Sequence, residues 1–146
     1  MSTMTVLYDF DRFIKAQDSV YDDVLAELKS GRKRTHWMWF IFPQIAGLGF
    51  SPTAQFYAIE SLDVARDYLG HPVLGERLLE CSDILLAVKN RSVTDIFGYP
   101  DDLKLKSSMT LFSCVAESNS VFEEVLERYF HGERDEKTLE LLAISG

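Results

Sequence analysis

The chain has 146 residues, 47% of them hydrophobic and 26% charged, which fits one domain able to bury its own core without metals or disulfides. Its 15 Lys+Arg stand against 23 Asp+Glu, a net charge of −8, and this disfavours duplex nucleic acid, whose binding rests on neutralising phosphates. No apolar run approaches the length of a membrane span.

In chain order, the N-terminus MSTMTVLYDFDRF has no long apolar core of a signal peptide, so a cytoplasmic location is expected. Phe10 to Gln17 reads as a short helix with Asp9 as its N-cap. Asp18 or Ser19 opens a second helix, whose apolar face carries Val20, Tyr21, Val24, Leu25 and Leu28. Gly31 ends it, since glycine reaches the left-handed conformation without a Cβ clash.

The segment Gly31 to Ser51, GRKRTHWMWFIFPQIAGLGFS, stands apart. It joins a basic run to both tryptophans and three phenylalanines. No acidic residue occurs from Leu28 to Ile59. Thr35 to Phe42 is assigned to a buried helical turn because no partner strand is in sight. Gly47 and Gly49 predict a loop, and Ser51-Pro52 an N-cap with proline at the first helical position.

Ser61 is expected to cap a helix through Leu69. Gly70-His71-Pro72 marks a stop and restart, with His71 and later His131 at helix boundaries where histidine caps. The stripe Leu74, Leu78, Cys81, Leu85 and Val88 predicts the longest helix, from Pro72 to about Lys89. A short turn carries Val93 to Phe97. Tyr99-Pro100-Asp101-Asp102 then reads as a turn whose carboxylate caps a helix through Leu105, Met109, Phe112 and Val115. Ser120 and Glu123 have capping-box spacing ahead of the next helix, and Asp135 caps a last one. Cys81 and Cys114 both fall in apolar helical patterns and are expected to be buried free thiols. About eight short helices and no strands give a single all-α domain, an irregular or horseshoe-like array with no regular four-helix bundle.

Two constellations offer chemistry. In the first, Arg32, Lys33 and Arg34 are candidates for phosphate, Trp37 or Trp39 for stacking, and His36, Gln44 and Ser51 for polar contacts. The competing structural reading places the aromatic rings in the core. In the second, Asp101 to Thr110, lysines in a first helical turn oppose the helix dipole, and Ser107, Ser108 and Thr110 are poor helix formers, so Lys104 and Ser108 join the ligand candidates. His36 and Asp102 are the candidates for proton transfer. No metal spacing, nucleophile elbow or phosphate-loop motif is present, and no cofactor is implied.

The motifs GRKRTHWMWFIFPQ, GLG, HPVLGERL, IFGYPDDLKLKSSMTLF and TLELL, in this order from Phe10 to Leu142, resemble the bacterial domain of unknown function family 1810. The resemblance implies a mainly helical domain and no activity. Members sometimes carry the label calpastatin, but calpain inhibitors are disordered and repetitive and this chain is neither. The start FIKAQ of Phe13 to Leu28 also resembles helical hydrolases of ADP-ribose-linked N-glycosides. These readings leave two functional expectations. One is a small anionic ligand of nucleotide or ADP-ribose type. The other is a protein-interaction module such as a homodimer.

Overall fold

The structure is a computed structural model that describes residues 8–145, with side chains through residue 143. Residues 1–7, where the absence of a signal peptide was read, lie outside the described residues. Ten helices follow one another: α1 Asp11–Asp18, α2 Tyr21–Lys29, α3 Met38–Ile41, α4 Pro52–Phe56, α5 Leu62–Gly70, α6 Leu74–Ala87, α7 Val93–Phe97, α8 Asp101–Ser113, α9 Val121–Phe130 and α10 Glu136–Ser145. The count exceeds the expected eight by two, and α3, α4 and α7 are no more than single turns. The only extended pairing among the described residues is an isolated parallel bridge between Ile45 and Ile59.

The array is irregular and is wound about α8. That helix touches α5, α7, α9 and α10, and the run from Ser107 to Ser113 is buried without a break. A helix enclosed on all sides has no amphipathic stripe to read. Its serines and threonines fit because most of their hydroxyls bond back to the helix: Ser107 to Leu103 O at 3.2 Å, Thr110 to Lys106 O at 2.8 Å, and Ser113 to Thr110 O at 2.7 Å.

Several caps form as expected. Ser51, Ser61 and Asp135 accept from Ala54, Val64 and Thr138 amides at 3.1, 3.3 and 3.0 Å. His71 Nδ1 accepts from the amides of Val73 and Leu74 at 3.1 and 3.2 Å, and His131 ends α9 in the left-handed conformation. Others differ. Asp9 accepts from Asp11 N at 2.9 Å, but the N-cap position is Phe10, and α2 starts from Val20. The box at Ser120 is half made, since Glu123 turns to the amide of Asn119. The complete box lies at Ser92 and Asp95 instead. Pro100, not a carboxylate, occupies the N-cap of α8. Cys81 is buried as expected, and burial pushes its thiol up to about 12, whereas Cys114 at the end of α8 is exposed.

α5 and α6 pass close together at Gly75. A Cβ there would sit 1.9 Å from the Leu69 carbonyl oxygen, which is backbone and cannot rotate aside. Gly75→Ala should therefore cost about 3 kcal/mol through overpacking, read as a lower denaturant midpoint with unchanged slope.

Candidate functional site

The site is built from the end of α2. Gly31, at φ +75°, closes a Schellman motif: its own amide donates to Leu28 O at 3.0 Å, and that of Arg32 donates to Glu27 O at 3.1 Å. The chain leaves the helix turned back over Glu27. The buried Glu27 carboxylate then accepts from the amides of Arg34 at 2.6 Å and Thr35 at 3.0 Å, the Thr35 hydroxyl at 2.7 Å, and the Trp37 indole N–H at 3.0 Å. Burial works to raise its pKa, but these donors outweigh burial and hold the carboxyl below the ordinary value of 4.5. One carboxylate thus shapes the whole basic segment.

Lys33 and its neighbours are sorted by that shape. The Lys33 amide donates to Ile96 O at 2.7 Å, which ties the segment to α7. Its ammonium reaches Asp101 Oδ2 at 3.0 Å, donates to the Thr35 carbonyl, and lies 5.0 Å from the centre of the Trp37 ring. Its side chain is only 6% exposed. Arg32, Arg34 and His36 are exposed, and their side chains have no partner among the described residues.

The second motif meets the first at Asp101. Asp101 Oδ1 pairs with Lys104 at 3.5 Å, and the Lys104 ammonium stands 4.9 Å over the Trp39 ring. The two lysine–tryptophan pairs, Lys33–Trp37 and Lys104–Trp39, therefore flank one carboxylate. Segments that lie far apart in the chain share one surface.

Several candidates serve elsewhere. Trp37 is core: its indole N–H is taken by Glu27, and its ring packs at 6.2 Å from Phe42 and 6.3 Å from Phe97. Stacking is thereby left to the half-buried Trp39. The Ser51 hydroxyl is occupied as the α4 cap. Gln44 and Trp39 line a cavity of about 10 Å³ against Gly47, Gly49 and Tyr57, which holds one water at most. Asp102 is buried and locked, accepting from Thr94 Oγ1 at 3.0 Å and Leu103 N at 2.8 Å, so it is not a free base. Ser108 is fully buried, and its hydroxyl has no partner among the described residues.

The match to the model of the protein of unknown function family DUF1810 runs over residues 7–142. The chain belongs to the DUF1810 family. Both motifs and Glu27 lie within the DUF1810 region. A solved structure, that of the conserved hypothetical protein Rv1873 from Mycobacterium tuberculosis, is 51% identical and superposes with a TM-score of 0.91 over 93% of this chain and 97% of that one. No curated protein matches the chain. The DUF1810 membership and this likeness fix the fold and assign no chemistry.

Glu27 and the pairing role of Asp101 were missed in the sequence. The available signal for Glu27 was its place three residues after Val24, on the face that α2 buries.

These geometries make three variants informative. Glu27→Gln should destabilise the domain by about 2–3 kcal/mol at pH 7, because the amide brings N–H groups against donors. A depressed native pKa contributes stability above the unfolded value that is lost as pH falls through the folded one. The wild-type advantage over the glutamine variant should thus be complete above pH 4.5 and fade below it, in denaturant titrations across pH. Ser108→Ala should raise stability by about 1 kcal/mol by removing an unpaired buried hydroxyl. Thr110→Val should lower it, since that hydroxyl also accepts from Asp135 N at 2.9 Å.

Proposed function

We propose that this domain binds a small phosphorylated ligand, of nucleotide or ADP-ribose type, on the basic and aromatic surface where the two motifs meet. The observation that carries the reading is the junction of Lys33, Asp101, Lys104 and Trp39. It sets cations beside an indole face, and beside it in sequence stand Arg32, Arg34 and His36, whose exposed side chains are without partners among the described residues. Arginine offers phosphate a planar fork, and a partly exposed tryptophan offers a base or ribose-linked ring a stacking face. The nearby cavity is far too small to enclose such a ligand, so the reading is of a shallow surface site. His36 is the proton-transfer candidate that keeps its freedom; Asp102 has lost it.

A second reading, an interaction module, draws on different atoms. Phe50 and Tyr99 are 79% and 78% exposed, and Leu103 is exposed beside Lys104 in sequence. Aromatic groups left in water at this level suit a protein interface.

A thermal-shift screen with nucleotides, ADP-ribose and NAD separates the two. Binding to the basic surface predicts a shift with at least one of them and about tenfold weaker binding in Arg34→Ala, whose ligand-free melting temperature stays at the wild-type value. No shift with any compound, together with a dimer by light scattering that Phe50→Ser dissociates, favours the interaction module.

A further inference from the structure

We infer that the Asp101 carboxylate is an internal surrogate for the ligand's anionic group, and that a terminal phosphate replaces it between Lys33 and Lys104. The inference rests on the ligand-binding reading above and names the atoms that would hold the phosphate.

Charge is the first argument. Two ammonium groups share a single carboxylate, at 3.0 and 3.5 Å. Among the described residues neither neighbouring acid forms an ion pair with the two lysines. Glu27 is consumed by the amides of Arg34 and Thr35, the Thr35 hydroxyl and the Trp37 indole, and Asp102 by Thr94 and Leu103. Both acids keep their negative charge but turn their oxygens to neutral donors, so in direct contact two ammoniums share one monoanion, and that contact set is one negative charge short. A terminal phosphate, carrying close to two negative charges at neutral pH and three acceptor oxygens, balances it.

The second argument concerns what holds each partner. Both lysines are fixed independently of Asp101, Lys33 by the Thr35 carbonyl and the Trp37 ring and Lys104 by the Trp39 ring. Those contacts do not depend on the carboxylate. Asp101 lacks that support. It opens α8 without capping it, and among the described residues its side chain meets only the two lysines. Asp102, one residue on, is by contrast tied to a backbone amide and a hydroxyl. Asp101 can rotate outward at the cost of two ion pairs and no helical hydrogen bond. The lysine pair is thus a preformed anion seat occupied by a removable tenant.

Titration calorimetry of wild type, Asp101→Asn and Lys104→Ala with ADP, inorganic phosphate and adenosine tests the inference, with circular dichroism to establish folding and Asp101→Ser as a second variant at the same position. Removing the competing charge should tighten ADP and inorganic phosphate about fivefold or more, leave adenosine unchanged, and be reversed by Lys104→Ala in the double variant. If wild type binds ADP and neither Asp101 variant binds it more tightly, Asp101 is no surrogate and the ligand reading stands without it. If neither wild type nor the Asp101 variants bind ADP or inorganic phosphate, the phosphate seat and the ligand reading fall together.

Discussion

The buried carboxylate of Glu27 is the constraint on which the rest of the surface depends. A charge taken out of water is tolerated only when its acceptor capacity is filled. Here four donors fill it, and all four come from Arg34 to Trp37, a stretch with no regular secondary structure until α3 begins. The hydrogen bonds that solvate the carboxylate are therefore the same ones that fold the loop. They carry Trp37 into the core, where it meets Phe42 and Phe97. With Trp37 anchored, the chain on its N-terminal side has little freedom, and Lys33 is delivered to α7 and Asp101.

This arrangement also explains why a segment with so many cations survives in the middle of a packed domain. Lys33 is nearly buried and would be costly without a partner; Asp101 supplies one, and the indole face of Trp37 supplies another. Arg32 and Arg34 need no such arrangement because they stay in water. The basic run thus divides into an inward lysine that ties two motifs together and outward arginines that are available to a ligand. Composition cannot separate these roles, because all three residues are equally basic.

Much of the fold was legible because local rules decided it. Gly31, Ser51-Pro52, Ser61, His71 and Asp135 each act within a few residues of themselves, and each ends or begins a helix where its chemistry requires. α8 was legible as a helix but not as the centre, since a helix buried on every side carries no periodic signature, and its serines and threonines imitate an exposed face. The candidate site's residues could be named from the sequence, but not their connections. Asp101 looked like a cap, yet proline holds that position and frees the carboxylate for two lysines. Glu27 shares the buried face of α2 with Val24, but its spacing names no partner for the carboxylate. In both cases the deciding partner lies in another element, and no spacing rule reaches that far.

The charge balance then bears on what such a surface can serve. A net charge of −8 disfavours an extended polyanion, and the densest run of cations is confined to a short segment. A compact anion is different, because it feels chiefly the charges within a Debye length of about 10 Å. In contact with the lysine pair stands one carboxylate, Asp101, while Glu27 and Asp102 direct their oxygens to amides, hydroxyls and an indole. On the proposed reading, the overall charge works against nucleic acid at long range while the local cations attract a phosphate at short range. That separation of length scales is what makes a small anion the better match to this surface.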